Sequence, residues 1–288
     1  MGDVTGALPI AERSGRVISR RAWTTIALAV CLLAVPLAGA AQSIWDDPAF
    51  LLLRQAMDAL SEKNYARAGE LSTRAIAQLP NHPLAYYVRG QAAAAQSRWE
   101  DAAAAFAKAS ELYPGSFAAQ RDLAASLDQL GKVQDALKAY EAALALRDQD
   151  DLRARMAFML ADNGEEPRAM AELEKLTAKD SKNPAVWSTL GRLSYETGEW
   201  PTAEKAYTKA VSLRDDGRNW FNLGVVRVRL KDLPGAQAAF ERAAQHPDVK
   251  KQAEAEIARL REVTNSGTAR QQLRTPGQYS VPGPGGNR

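Results

Sequence analysis

Between Pro83 and Ser116 the apolar positions fall into two helical stripes. Tyr86 and Gly90 lie four apart on one face of a predicted helix from Leu84 to Gln96. Ala102, Phe106 and Ala109 mark the buried stripe of a second helix, entered at Trp99. Pro83 suits a first helical turn, where its missing N–H leaves no bond unmade, and Pro114-Gly115 ends the segment. The stripe then returns at an almost fixed interval. Ala68, Ala102, Ala136, Ala169, Ala203 and Ala236 follow one another by 34 or 33 residues. Ala75, Ala109, Ala143, Ala210 and Ala243 run seven residues behind. Phe106, Tyr140, Tyr207 and Phe240 fill the large position between them. A small position lies ahead, at Gly90, Gly191 and Gly224. A period near 34 predicts stacked helix pairs, each too small to bury its apolar face alone.

The unit 184–216 has the fullest set: Trp187, Leu190, Gly191, Gly198, Trp200, Ala203, Tyr207 and Ala210. With the prolines at Pro80 and Pro114, this resembles the tetratricopeptide repeat family, whose unit runs Trp, Leu-Gly, Tyr, Ala, Phe, Pro. Six repeats are expected, at 49–82, 83–116, 117–150, 151–183, 184–216 and 217–248. The fourth departs most, with Leu173 in place of the aromatic and Leu176 in place of the second alanine. It reads as drift held by its neighbours, or as a change of curvature. The resemblance implies an all-α, right-handed superhelical solenoid of about six helix pairs. An amphipathic segment at 249–263, with Ala253, Ile257 and Leu260 on one stripe, is expected to cap its open end.

The two ends of the chain read differently. Ala22 to Ala41 has no charge, four arginines precede it, and Ala38-Gly39-Ala40 follows the small-x-small cleavage pattern. Residues 1–40 are therefore expected to be a secretory signal peptide, with 41–48 a short linker, and the chain an exported bacterial member of the family, periplasmic in location. The alternative is a retained anchor, since about 20 apolar residues span a bilayer. Membrane contact is expected only in that case. Residues 264–288 are rich in Ser, Gly, Pro and Gln and are expected to stay unfolded.

Composition narrows the function. Net charge is +3, but the arginines of the two ends account for it and leave the repeats slightly acidic. No concentrated basic face is expected, so nucleic acid is not the expected partner. Cys31 is the sole cysteine and sits inside the apolar run. His82 and His246 fall in turns and are expected to be exposed to water, and no metal set converges on them. No phosphate loop, nucleophile elbow or zinc-protease signature occurs. The expectation is a non-catalytic interaction scaffold or adaptor of the cell envelope, with no cofactor. A membrane-tethered assembly factor or a chaperone-like holdase is the alternative.

Family members grip a protein or peptide in a concave groove lined by the first helix of each pair. Carried onto this chain, the groove slots fall on Tyr87, Gln91, Arg121, Asp128, Phe158, Arg192, Tyr195, Phe221 and Arg229. One branch of the family clamps the acidic end of heat-shock chaperones with a Lys, Asn and Lys/Arg set. Tyr87, Gln91, Arg121 and Ala125 stand in those slots, so that specificity is not carried over.

Overall fold

The structure, a computed structural model, describes residues 47–265. The expected leader at 1–40, most of the linker and nearly all of the 264–288 tail lie outside the described residues. Thirteen α-helices and no strand occur among the described residues. They are α1 Pro48–Ser61, α2 Tyr65–Gln78, α3 Pro83–Ala94, α4 Trp99–Leu112, α5 Phe117–Gln129, α6 Val133–Leu146, α7 Asp150–Asp162, α8 Glu166–Ala178, α9 Pro184–Glu196, α10 Trp200–Leu213, α11 Gly217–Arg229, α12 Leu233–Ala243 and α13 Lys250–Asn265.

The chain divides into two compact units at Arg147 and Asp148. The first holds the pairs α1–α2, α3–α4 and α5–α6. Each helix there packs on the next, and α1 also meets α3. The second holds α7–α8, α9–α10 and α11–α12, followed by α13, which packs on α12. Ala253, Ile257 and Leu260 of α13 are buried with Phe240 and Val225 in one apolar cluster.

In most of the pairs, one kind of contact recurs between the two helices. The first helix offers a small residue at Ala56, Gly90, Ala124, Ala157, Gly191 and Gly224, all of them buried. In five pairs the second helix carries Phe106, Tyr140, Leu173, Tyr207 or Phe240 at the matching position, none more than 1% exposed, whereas the first pair has the buried Ser72 there. A Cβ added at Gly90 would stand 2.6 Å from the Phe106 ring, at Gly224 2.6 Å from the Phe240 ring, and at Gly191 3.0 Å from Tyr207. These distances are below or at the limit of carbon contact, so the ring sits where a side chain would have been. Leu173 and Leu176 are buried in the fourth pair, so aliphatic groups do the same job there.

The six turns within pairs share one geometry. Each has a residue in the left-handed region: Lys63, Ser97, Gly131, Gly164, Gly198 and Lys231, with φ between 57° and 83°. The amide after it reaches back to a carbonyl five residues earlier. Examples are Asn64 N to Ala59 O at 2.8 Å, Arg98 N to Ala93 O at 3.0 Å and Asp232 N to Arg227 O at 2.9 Å. This satisfies carbonyls that the helix end would orphan. Glycine suits the position because it carries no Cβ, whereas Lys63, Ser97 and Lys231 pay a steric penalty there.

The histidines differ from the expectation of water exposure. His82 caps the start of α3 and lies edge-on to Phe50, with ring centroids 5.4 Å apart. Its Nδ1 is buried without a hydrogen bond, and burial lowers its pKa. His246 keeps 24% of its side chain exposed, 3.5 Å from Asp215. Both histidines are half-buried, His82 against Phe50 of α1 and His246 beside Gly217 of α11.

These two glycine roles predict opposite effects. Gly224→Ala drives a methyl into Phe240. Overpacking costs ~1–3 kcal/mol against at most about 1 kcal/mol of gained helix propensity, so the net change is destabilising. Lys231→Gly relieves a left-handed side chain and is expected to stabilise by about 1 kcal/mol or less. Urea unfolding midpoints of the two variants should move in opposite directions from the parent.

Candidate protein-binding face

In the first unit, the face of α3 and α5 is organised by a residue that the repeat register did not single out. Asp122 is 5% exposed and sits among Ala119, Ala124 and Ser126 on α5, a helix whose start is capped by the Ser116 hydroxyl at 3.2 Å. Its Oδ2 accepts the Tyr87 hydroxyl at 2.8 Å, across from one repeat to the next. Its Oδ1 accepts Nε and Nη2 of Arg121, each at 2.7 Å. Gln91 Nε2 donates to the Tyr87 oxygen at 3.1 Å. Burial, and then the Asp122 carboxylate, push the Tyr87 phenol well above its usual pKa. Burial disfavours the charge on Arg121, but the same carboxylate outweighs it and raises the guanidinium pKa.

Arg121 keeps 39% of its side chain exposed. Its guanidinium lies 5.9 Å from the Phe117 ring, which also carries Arg147 at 4.6 Å. Tyr87 stacks at a tilt on the core ring of Phe106, 5.6 Å between centroids. The predicted Tyr87, Gln91 and Arg121 are thus brought together as one bonded group. Asp128 is held differently, accepting the hydroxyl of the buried Tyr140 at 3.4 Å.

In the second unit, Tyr195 on α9 meets Arg229 on α11. Arg229 Nε donates to the Tyr195 hydroxyl at 3.1 Å, and its guanidinium lies 5.9 Å from that ring. One turn earlier, Ser188 donates to Asn219 Oδ1 at 2.7 Å. Arg192 Nη1 donates to both oxygens of Glu196, at 3.0 and 3.2 Å. Only 14% of the Arg192 side chain is exposed, against 38% of Glu196, and Arg192 Nε is buried without an acceptor. Behind them Asn222 Nδ2 donates to the Tyr207 hydroxyl at 3.3 Å. Burial raises the Tyr207 pKa, partly opposed by the charge of Arg192 and the bond from Asn222.

Two of the nine predicted residues stand apart. Phe158 is half-buried on α7 in the fourth repeat. Phe221 corrects the expectation of a groove residue. It is 8% exposed, because its ring packs on Phe240 at 5.3 Å within the cluster completed by α13. Conversely Asp122, Asn222, Asn219 and Glu196 were missed. Asp122 and Asn222 each lie five residues after the start of their helix, at Phe117 and Gly217. The same position holds Arg54, Val88, Arg155 and Thr189 in the other repeats, so no shared residue type marked it.

Two open cavities lie off this face, and none of the nine residues lines either. One of about 490 Å³ runs between α4, α5 and α6, past Ala103, Ala107, Leu123 and Leu127. One of about 560 Å³ lies beside Trp187 and Lys209. Among the described residues there is no group of three or more His, Cys, Asp or Glu placed to hold a metal ion. No helix among them is long and apolar enough to cross a membrane.

Antiparallel helix pairs with a small-residue contact inside and a polar, aromatic face on the first helices define an all-α helical-repeat protein. Models of the tetratricopeptide repeat match residues 53–117, 129–193 and 188–250. The chain belongs to the tetratricopeptide repeat family. Among solved structures it is similar to the C-terminal part of a tetratricopeptide repeat protein from Cytophaga hutchinsonii. The TM-score is 0.61 and identity 18%, over 75% of this chain and 90% of that one. It is also similar to YrrB, a protein of the family described as having an unusual peptide-binding site. There the TM-score is 0.57 and identity 17%, over 66% of this chain and 98% of that one. A family member from Parabacteroides merdae gives a TM-score of 0.52 at 14% identity, over 78% and 94%. No curated protein matches the chain significantly.

Asp122→Ala removes the acceptor of both Tyr87 and Arg121. The buried phenol loses its bond and the guanidinium its counter-charge. Because Arg121 keeps contact with water, the expected loss is about 2 kcal/mol, below the figure for a fully buried pair. Thermal melts of Asp122→Ala and of Arg121→Ala separate the two contributions. The first should melt lower, since Arg121→Ala leaves Asp122 its bond from Tyr87.

Proposed function

We propose that this protein is a non-catalytic scaffold that grips a segment of a partner protein along the first-helix faces of its repeats. One observation carries the reading. In each unit, a tyrosine is fixed by a bond that crosses from one repeat to the next: Tyr87 to Asp122, which also holds Arg121 on its own helix, in the first, and Tyr195 to Arg229 in the second. Side chains already ordered lose little entropy when a partner arrives, and tyrosine and arginine are the residues that dominate interface energies. Peptide binding described for YrrB is consistent with this use of the fold. The slight acid excess of the repeats speaks against a nucleic-acid partner.

The workplace we assign is the cell envelope, in the periplasm, after removal of residues 1–40. The arginines, the uncharged run and Ala38-Gly39-Ala40 support it. The second reading is a membrane-tethered assembly factor or holdase that keeps residues 22–41 as an anchor. The length of that run favours it. Edman sequencing of the protein from its native host decides between them. A start at Ala41 is expected, and a start before Ala22 with extraction only by detergent would establish the tether.

The face is tested by photo-crosslinking in the native host from Tyr87 and Tyr195, with exposed Glu111 of α4 as control. The same partner should be captured from both face positions and not from Glu111. Arg121→Ala or Tyr195→Ala should weaken binding of that partner by about 2 kcal/mol if either is a dominant contact. Loss of capture on deleting 264–288, with both alanine variants binding normally, would place the contact in the tail and sink the reading.

A further inference from the structure

We infer that Arg192 is a receptor for an acidic side chain of the partner, and that Glu196 is an internal occupant which the partner's carboxylate displaces. The inference rests on the interaction face proposed above and names the chemistry it selects. Arg192 is the fixed member of its pair. Its side chain is 14% exposed, and Tyr207 and Asn222 lie behind it. Glu196 is the outer member, at 38% exposed.

Three features make Glu196 a weak occupant. It follows arginine by four residues, the less favourable order for a helical ion pair. It is the last residue of α9, where an acid faces the negative end of the helix dipole. Its two oxygens share the single nitrogen Nη1, so the parallel two-nitrogen fork that arginine can offer a carboxylate is not formed. A carboxylate from another chain can approach Arg192 free of the first two constraints, while Glu196 swings into water at little cost. The chain's own segment 264–288 contains no Asp or Glu, so its side chains do not supply the acid. The occupant is a glutamate or aspartate side chain of a partner protein.

The probe is an alternating glutamate–alanine octapeptide blocked at both ends, titrated into the full protein at low salt. Its glutamine–alanine twin is the neutral control. The parent should prefer the glutamate peptide by about tenfold, the scale of one added charge-assisted hydrogen bond. Glu196→Gln should tighten that peptide severalfold, and Arg192→Gln should abolish the preference. If Arg192→Gln melts far below the parent, Glu196→Gln alone decides, because it leaves Arg192 in place. Equal affinity for the twins, weaker acidic binding in Glu196→Gln, or no binding of either peptide overturns the inference. So does tight binding only by a glutamine peptide with a free carboxyl end, which would make the source a chain terminus. Neutral and acidic peptides bound alike, and both lost in Tyr195→Ala, would refute the acidic preference and leave the interaction face standing. Failure of the crosslinking from Tyr87 and Tyr195 would remove the face itself.

Discussion

The contact on which the rest depends is that between a residue with little or no side chain and a buried ring. Gly90 against Phe106, Gly191 against Tyr207 and Gly224 against Phe240 set how closely two helices of a pair approach. Where the first helix carries alanine, at Ala124 and Ala157, the matching positions of the second helix are Tyr140 and Leu173, and all four are buried. Protein interiors pack at crystal-like density, so removing or adding one methylene here is felt throughout the pair. With the distance set, the left-handed turn follows, because the chain must reverse within a few residues and still satisfy the last carbonyls of the first helix.

The spacing that fixes the core also fixes what faces outward. A helix buried on one side by its own pair and on another by the next leaves a narrow strip for function. On that strip this chain places groups that reach one repeat along. Tyr87 meets Asp122, Ser188 meets Asn219, and Tyr195 meets Arg229, at separations of 35, 31 and 34 residues. These bonds do two things at once. They tie first helices to one another where few apolar atoms meet, and they hold the side chains offered to a partner in one arrangement. Tyr207 links the two layers. Its ring fills the core and its hydroxyl receives Asn222 at the edge of the strip.

The helix pairs were legible because one period governs the alanines, the rings and the first-helix small residues together. Their agreement is what a short amphipathic stretch lacks. The turns were only half legible. Gly131, Gly164 and Gly198 mark three of them, but Lys63, Ser97 and Lys231 hide the same conformation behind ordinary side chains. The site was legible as a row of positions and not as a set of partners. Arg121 showed in the register, while the acid beneath it did not, because Asp122 acquires its role from a tyrosine on another helix. Phe221 shows the converse. Its slot faces outward in a generic pair, but here Phe240 and α13 close over it. His82 was misplaced for a similar reason, since Phe50 comes from the preceding pair.

The left-handed residues at 63, 97, 131, 164, 198 and 231 keep the same beat as the core, with gaps of 34 or 33. That has a consequence for how such a chain can change length over evolutionary time. A whole unit cut or copied from one such residue to the next returns every ring to a small partner and every turn to its carbonyl. A single residue inserted within a helix rotates everything after it by about 100° and breaks both registers at once. Length variation is therefore steered to the joints between pairs. Lys179–Asn183, where Asp180 already adopts φ 52°, is one such joint.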